Sequence, residues 1–344
     1  MIKKVLLIAA ALILAISCSK NNPTTPTNNG DTGIGNTGGG SIIEEGTGTS
    51  SPTTIADFLK KHEGRYYREQ LSKQYGITTR YIYYRIESGK IYEEESKTEI
   101  QGNKTISGNK LQIEIQGNQS SQYGSDWNPH IEILNFSDNS IQEFYKMVFT
   151  KENFTTLSGY DIVTTISQAG KYAGNYYVYG GDTDTEITKE YLFTIDDKGN
   201  IYLYSVKDYV SKIRCSLNGN VLTLEFPEAK YNFIIEANRA IASILINNIE
   251  QTSTMRKSDL LTPYAGTYSE GSITLTVDEA NAVITPADLM NPSAILNGNN
   301  LTIYDHRYIN DTAKVEEHKI VFNGDGTAAY TKPDNSGTVT LKKN

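Results

Sequence analysis

Residues 217–224 read LNGNVLTL and carry the clearest structural signal in the chain. The pair Asn218-Gly219 lies between two runs in which apolar side chains alternate with polar ones. Asn-Gly in that setting is a strong hairpin signal, because a tight turn needs positive φ at its central positions. Apolar side chains at every second position indicate strands with one buried face. The segment therefore predicts an antiparallel β-hairpin.

The same pattern occurs three times, as ISGNKLQI at 106–113, LNGNVLTL at 217–224 and LNGNNLTI at 296–303. A second shared motif, Gly-x-Tyr, precedes each copy and begins at Gly64, Gly174 and Gly266. From this glycine to the glycine of the hairpin motif is 44, 45 and 32 residues, so the third copy is shorter. Repeats of this length are long enough for each copy to close its own small core.

Further hairpins are predicted in every copy. They cover residues 81–92 and 131–141 in the first copy, 191–204 and 231–244 in the second, and 273–284 and 320–330 in the third. Each copy is therefore a meander of short antiparallel strands. The sequence predicts an all-β chain with three tandem domains arranged like beads: 55–165, 166–258 and a shortened 259–344.

The glycine and aromatic residue that open each meander resemble the Gly-x-Trp motif of lipocalins and of lipocalin-like domains in bacterial envelope lipoproteins. Tyr66, Tyr176 and Tyr268 stand where that motif has tryptophan, and the chain shows no second motif of the family. The resemblance implies three small barrels or half-barrels, whose interiors are either open to a ligand or filled. A likeness of fold does not by itself assign a function.

Residues 1–17 have the pattern of an export signal. Lys3 and Lys4 precede an apolar run of 12 residues, Val5 to Ile16, which is short for a membrane span of roughly 20 residues. Residues 15–18, Ala-Ile-Ser-Cys, resemble the lipobox of bacterial lipoproteins. That resemblance implies cleavage before Cys18, acylation of its sulfur and attachment to a membrane. The alternative is an ordinary secretory signal that contains a cysteine.

Residues 18–54 are rich in Asn, Thr, Gly, Ser and Pro. Such a composition buries too little apolar surface to offset chain entropy, so we expect a disordered linker. Its expected end-to-end distance is roughly 30–35 Å, enough to hold a domain away from the lipid headgroups. Ser19 after the lipidated cysteine favours the outer membrane, by resemblance to the sorting rule of enteric lipoproteins. The predicted location is therefore the cell envelope, at the outer membrane, with the domains either exposed at the surface or facing the periplasm.

Composition excludes one class of partner and restricts the means of stabilisation. The chain has a formal net charge of −8 and a pI near 5.2, which disfavours binding to nucleic acid. If Cys18 is acylated, only Cys215 remains, so no internal disulfide can form. Cys215 lies in a strand-like run and is interpreted as a half-buried structural residue.

No pattern of catalytic residues was found. The chain has no Gly-x-Ser-x-Gly elbow, no P-loop and no Gly-x-Gly-x-x-Gly between a predicted strand and a predicted helix. Its four histidines are far apart without metal-binding spacing and are predicted to lie on the surface: His62, His130, His306 and His318. The sequence thus predicts a protein that is not an enzyme and that needs no cofactor or metal.

Residues 180–186 are the sharpest acidic cluster. Asp182, Asp184 and Glu186 follow two glycines and offer oxygen ligands of the kind that Ca²⁺ prefers. The segment lacks the central glycine and distal glutamate of an EF-hand loop. A solvated loop between strands explains the same residues and is the favoured interpretation.

Tyrosine is the compositional outlier, with 24 residues against 9 Phe and 1 Trp. Exposed tyrosines can stack on sugars or form a protein-binding patch, although Tyr also suits half-buried strands. Trp127 lies in an insert, residues 116–129, that the other copies lack, and loops of that kind often bind ligands. The candidate ligand-binding residues are Tyr81, Tyr83, Trp127, Tyr176 and Tyr179.

These features favour a non-catalytic, lipid-anchored envelope protein whose β-domains bind a protein or a small apolar or saccharide ligand. The alternative is a structural or assembly component of the envelope that faces the periplasm. An enclosed cavity would favour a small ligand, and filled barrels with an exposed aromatic patch would favour a protein partner. A histidine–carboxylate pair in a cleft would instead favour an enzyme.

Overall fold

A computed structural model describes residues 54–72, 74–93, 97–117, 128–180, 188–207, 210–287, 289–290, 292–309 and 312–344. The predicted signal peptide, Cys18 and nearly all of the predicted linker lie outside these residues. The described chain is all-β with antiparallel strand pairing, as predicted. None of its helices combines the length and the apolar character needed to span a membrane.

The chain contributes one α-helix, three 3-10 helices and 26 strands to the described part. In the first repeat these are α1 (Ile55–Lys61), β1 (Gly64–Ser72), β2 (Ile77–Glu87), β3 (Lys90–Glu93), β4 (Thr98–Glu99), β5 (Asn103–Ser107), β6 (Lys110–Ile115), β7 (His130–Phe136), β8 (Ser140–Glu152) and β9 (Tyr160–Thr165). In the second they are a 3-10 helix (Ser167–Tyr172), β10 (Gly174–Gly180), β11 (Thr188–Ile195), β12 (Asn200–Tyr204), a 3-10 helix (Val210–Lys212), β13 (Arg214–Asn218), β14 (Val221–Glu225), β15 (Lys230–Ile235), β16 (Arg239–Ile246), β17 (Ile249–Glu250) and β18 (Ser253–Ser258). In the third they are a 3-10 helix (Thr262–Tyr264), β19 (Gly266–Glu270), β20 (Ile273–Val277), β21 (Ala282–Thr285), β22 (Pro292–Asn297), β23 (Asn300–Ile309), β24 (Thr312–Phe322), β25 (Thr327–Thr331) and β26 (Thr338–Lys343).

The repeated hairpin motif folds as its sequence predicts. Asn218 pairs with Val221, which leaves Gly219 and Asn220 as a two-residue turn, and Gly219 has a φ of +60°. Leu222 and Leu224 are buried, as the alternation indicates.

Barrel 3 is formed by the third repeat alone. Its eight strands follow the hydrogen-bonded order β21-β20-β19-β26-β25-β24-β23-β22, and β21 faces β22 across the remaining gap. Side chains such as Leu275, Ile303 and Phe322 fill the interior. The repeat is shorter in sequence because its opening hairpin is short: β19 and β20 have five residues each, whereas β1 and β2 have nine and eleven. It still has the strands of a nearly closed barrel.

Barrels 1 and 2 exchange their closing strands. Barrel 1, built on β1–β7 and the first part of β8, is closed by β18, which pairs with β1 and with residues 140–143 of β8. Barrel 2, built on β9–β16, is closed by the last part of β8, which pairs with β16 and β10. Met255 of β18 and Phe149 of β8 are fully buried, as Leu341 of β26 is in barrel 3.

The expectation of beads is therefore wrong for the first two repeats. The predicted boundary at 165/166 separates sequence repeats, whereas the 13-residue strand β8 belongs to both barrels. The outer faces of the two barrels also share a buried cluster of Ile131, Val148 and Ile241. Exchange of an element is a known route by which two similar units become joined. Barrels 1 and 2 consequently form one structural unit.

Barrel 3 packs against barrel 1. The guanidinium group of Arg65, which is 1% exposed, donates to the carbonyl oxygen of Ala294 at 2.5 Å and to that of Ala280. Ser258 Oγ, at the end of β18, accepts from Leu296 N at 2.9 Å. A buried positive charge on peptide carbonyls is a strong type of hydrogen bond, so these contacts fix barrel 3 on barrel 1.

Candidate functional site

The barrel interiors are filled by side chains. Each of the three contains a cluster of buried apolar residues along its length. Two clefts, of about 380 and 320 Å³, are open to solvent. The first lies between α1 and the β5–β6 turn, and the second lies at one end of barrel 3 beside Pro286 and Tyr330. Neither cleft is an enclosed lipocalin-type cavity.

The outer surface of barrel 2 carries a set of tyrosines on four neighbouring strands, β10, β11, β12 and β9. Ile201 and Leu203 of β12 point into the core, so the alternate residues of that strand point outward. The same alternation places tyrosines outward on β10 and β9, and on β11 the register shift opposite Tyr176 and Tyr177 turns Tyr191 outward beside Tyr177. We name the set the tyrosine face: Tyr160, Tyr177, Tyr179, Tyr191, Tyr202 and Tyr204.

The rings of the tyrosine face touch one another. The centroids of Tyr177 and Tyr191 are 5.6 Å apart, and those of Tyr160 and Tyr204 are 5.4 Å apart. The hydroxyl of Tyr160 donates to the Tyr191 carbonyl oxygen at 2.6 Å. Tyr204 is 41% exposed and Ile162, beside it on β9, is 51% exposed. The face thus combines fixed aromatic rings with accessible apolar area.

Charged side chains hold several of these hydroxyls in place. Glu152 accepts from the Tyr191 hydroxyl at 2.7 Å and from Lys189 Nζ at 2.5 Å, and these two hydrogen bonds lower the pKa of Glu152. Asp196 accepts from the Tyr202 hydroxyl at 2.9 Å. Burial raises the pKa values of Tyr191 and Tyr202, so both phenols stay neutral at physiological pH. The face can therefore offer oriented hydroxyl groups to a partner.

The predicted tyrosine candidates occupy different environments. Tyr179 lies on the tyrosine face. Tyr176 was predicted as a ligand contact but is fully buried, with its ring 4.4 Å from that of Phe193 and its hydroxyl bonded to the Tyr172 carbonyl. That assignment is wrong, because alternation along β10 turns Tyr176 inward and its neighbours outward.

Tyr81 and Tyr83 lie on β2 and do not join the tyrosine face. Tyr81 is 42% exposed at the junction of barrels 1 and 3, where its ring is 5.9 Å from that of His306. Tyr83 is partly buried under the guanidinium group of Arg68, which lies 4.5 Å from the ring centroid. The structure places these two residues in contacts within the protein.

Cys18, Trp127, Asp182, Asp184 and Glu186 lie outside the described residues. Asn128, which follows Trp127 directly, exchanges hydrogen bonds of 2.7 Å with the backbone of Tyr179. The insert that contains Trp127 therefore ends beside the tyrosine face. The Cys215 thiol is partly buried and burial raises its pKa to about 11, as expected for a structural cysteine.

The prediction of surface histidines is wrong for three of the four. His130, His306 and His318 are 9%, 6% and 3% exposed, because strand pairing turns them into the barrels or into contacts between barrels. The backbone N–H of Phe136 in barrel 1 and that of Phe322 in barrel 3 form matching hydrogen bonds, which align the two barrels residue by residue. In this alignment, His130 and His318 belong to polar clusters at the same end of barrels 1 and 3. The equivalent residues of barrel 2 are the largely apolar Ala229 and Tyr231.

In barrel 1 the cluster centres on Tyr84. Its hydroxyl donates to Glu143 at 2.6 Å, and Arg68 forms an ion pair of 3.1 Å with the same carboxylate. Burial and the nearby Glu132 raise the pKa of Glu143. His130 Nε2 lies 3.7 Å from Glu132. This cluster is a buried hydrogen-bonded network.

In barrel 3 the cluster consists of Asp305, Glu316 and His318, each of which offers a ligand atom within 4.8 Å of the others. The Arg307 guanidinium is bonded to Asp305 and lies 3.8 Å from Glu316. His318 Nδ1 is 2.9 Å from the hydroxyl of Tyr330, which also lines the second cleft. A histidine with two carboxylates is a donor set that can bind a metal ion.

Of the tyrosine face, the sequence analysis predicted only Tyr179 as a ligand contact, and it did not predict the Asp305 cluster. The tyrosine face had a visible signal, since Tyr177 and Tyr179, and likewise Tyr202 and Tyr204, are two residues apart and share a strand face. The Asp305 cluster had none, because Asp305 and Glu316 become neighbours only through the register of the β23–β24 hairpin.

Comparisons with protein-family models, with curated proteins and with solved structures found no match to this chain.

Proposed function

We propose that this protein is a non-catalytic envelope lipoprotein, anchored through Cys18, that binds a protein partner at the cell surface through the tyrosine face. The observation that carries the proposal is the concentration of six tyrosines on the outer side of barrel 2, where Tyr204 and Ile162 are exposed and Tyr177, 7% exposed, is covered by Lys189. Aromatic residues with a polar tip are enriched at protein interfaces.

A protein partner is favoured over a small apolar ligand by the packing of the barrels. The apolar cores fill the interiors, whereas the tyrosine face lies outside. Tyrosine supplies a large contact area at low cost in conformational entropy, and the bonds of Glu152 and Asp196 further reduce ring motion. A preorganised surface of this kind suits a folded partner.

Photo-crosslinking in living cells tests the binding surface. A photoreactive amino acid replaces Tyr204, 41% exposed on the tyrosine face, or Val283, 42% exposed on barrel 3. We expect a discrete adduct from position 204 and none of that mass from position 283. We also expect Tyr160→Ser to reduce the adduct at position 204, because it removes a neighbouring ring.

Equal amounts of adduct at positions 204 and 283 would contradict binding through the tyrosine face. So would the lack of any adduct at position 204 under all growth conditions. Circular dichroism of the Tyr160→Ser variant separates loss of the surface from loss of the fold.

The anchor is tested separately by labelling cells with a clickable fatty acid. The wild-type chain should take up label and sediment with membranes. Cys18→Ser should abolish both, because serine has no sulfur to acylate. Labelling that persists in Cys18→Ser would refute the anchor and leave the binding proposal standing.

A second candidate function is a structural component of the envelope that faces the periplasm. The exchanged strands of barrels 1 and 2 and the docking of barrel 3 through Arg65 favour it, because they join the three repeats into one body. The two candidates differ in which side of the outer membrane the barrels occupy.

A further inference from the structure

The interior of barrel 3 contains a donor set that its fold alone does not explain. Asp305 is fully buried, His318 is 3% exposed, and the Glu316 side chain is 22% exposed. Their ligand atoms lie within 4.8 Å of one another. Around a tetrahedral ion with bonds of about 2.1 Å, ligand atoms are about 3.5 Å apart, so small side-chain rotations would bring the three into place.

His318 is prepared to act as a ligand. Its Nδ1 is bonded to the Tyr330 hydroxyl, while its Nε2 is buried and has no hydrogen-bond partner among the described residues. A buried polar nitrogen without a partner is costly. A histidine whose second nitrogen is held by a hydrogen bond is the usual arrangement at metal centres.

Asp305 is oriented in the same way. Its Oδ1 accepts from the Met290 backbone N–H at 2.9 Å. Its Oδ2 is paired with Arg307, which also lies near Glu316. Arg307 therefore supplies the positive charge that balances the two carboxylates. It occupies the electrostatic place that a cation would take, and at 22% exposure it can turn toward solvent.

We infer that Asp305, Glu316 and His318 form a binding site for a divalent transition-metal ion, of which Zn²⁺ is the best match. One imidazole and two carboxylates suit a borderline cation, whereas Ca²⁺ takes six to eight oxygen ligands, more than this set offers. Three protein ligands leave a further coordination position. Tyr330, whose hydroxyl is bonded to His318 Nδ1, also lines the cleft beside Pro286.

Zn²⁺ titration of the full-length chain, purified without a histidine tag and followed by isothermal calorimetry, tests the site. We expect one Zn²⁺ per chain and binding lost in His318→Gln and in Asp305→Asn. Tyr330→Phe, which removes only the bond to Nδ1, should weaken binding about 10-fold. Co²⁺ should give the visible absorption of a four-coordinate site in the wild type and lose it in His318→Gln.

The β23–β24 hairpin offers matched controls. His306→Gln removes a second buried histidine, one residue from Asp305, and Glu317→Gln removes the carboxylate next to Glu316. Both should bind Zn²⁺ as the wild type does. Circular dichroism checks the fold of every variant, and Glu316→Gln replaces His318→Gln if the latter does not fold.

Arg307→Gln distinguishes a metal site from an ion-pair network. A metal site should bind Zn²⁺ more tightly in this variant, because the competing cation is gone. A purely structural network would be destabilised without any gain in affinity. The inference is overturned if neither the wild type nor Arg307→Gln binds Zn²⁺, or if His318→Gln binds it unchanged.

Discussion

At the scale of single residues, the Gly-x-Tyr motif has a common cause in all three barrels. In each barrel, the side chain of a lysine on the closing strand packs over the glycine. A Cβ on Gly266 would lie 2.7 Å from Cε of Lys343, and a Cβ on Gly174 would lie 2.6 Å from Cε of Lys151. The tyrosine of the motif is buried, and its hydroxyl donates to the carbonyl of the residue four positions earlier. The motif therefore marks the place where each barrel closes.

Gly266→Ala tests this role. Gly266 has a φ of +138°, so alanine adds backbone strain to the contact with Lys343. We expect a loss of about 1–3 kcal/mol in the free energy of unfolding, measured by urea denaturation. Gly324→Ala is the control, because a Cβ there meets nothing within 4 Å, and its stability should be close to wild type. Equal effects at the two positions would refute the explanation.

The imidazole of His62 predicts a dependence of stability on pH. Burial and the nearby Lys257 lower its pKa below 6.5, so the unfolded chain binds the proton more readily. Stability should be complete above pH 6.5 and fall as the pH drops through the lowered pKa of the folded state. His62→Gln should lose less stability than the wild type between pH 7 and pH 5, as measured by urea denaturation. A steeper loss of stability in His62→Gln than in the wild type would contradict a lowered pKa of His62 in the folded state.

At the scale of elements, the sequence predicts the hairpins but not the exchange of closing strands between barrels 1 and 2. Turn residues such as Gly219 and Gly298 are local signals, and the strands they join pair as predicted. In barrel 3, residues 332–337 turn the chain from β25 back into β26. The equivalent part of β8 continues through residues 144–150, which contain no Gly, Pro or Asn. The lack of a turn at residues 144–150 was therefore visible in the sequence. The strands that pair with this part of β8 were not, because they lie far away in the sequence.

Met255→Ala and Phe149→Ala test the exchange as a reciprocal pair. Met255 belongs to the second repeat but is buried in the core of barrel 1, and Phe149 belongs to the first repeat but is buried in barrel 2. Each truncation should cost about 2–5 kcal/mol. Hydrogen exchange with mass spectrometry should show Met255→Ala exposing β1 and β2 first, and Phe149→Ala exposing β10 and β11 first. The opposite assignment would exclude the exchange.

At the scale of the whole molecule, three similar units form one body through contacts that their similarity did not predict. Barrel 3 closes by itself and attaches through Arg65, a residue of the first Gly-x-Tyr motif. The equivalent positions in the other copies are Asn175 and Thr267, so the sequence marks Arg65 as different without indicating its partner. The tyrosine face likewise belongs to barrel 2 alone, which explains why repetition was a poor guide to the binding surface.

Arg65→Ala tests the attachment of barrel 3. The variant leaves the carbonyls of Ala280 and Ala294 without their donor, and hydrogen bonds to a charged group contribute about 1.5–3 kcal/mol. We expect faster proteolysis between residues 259 and 265, with barrel 3 released intact. Arg256→Ala is the control, because Arg256 is 67% exposed and pairs with Glu69 within barrel 1. Equal cleavage of both variants would show that Arg65 does not hold the two barrels together.

Display of the barrels outside the cell is the central functional claim, and protease shaving of intact cells tests it most directly. Peptides from residues 55–344 are identified by mass spectrometry, with a periplasmic protein as the marker of membrane integrity. We predict that barrel peptides are released while the marker stays whole. Protection of the barrels until the outer membrane is broken would contradict surface binding and favour a structural role in the periplasm.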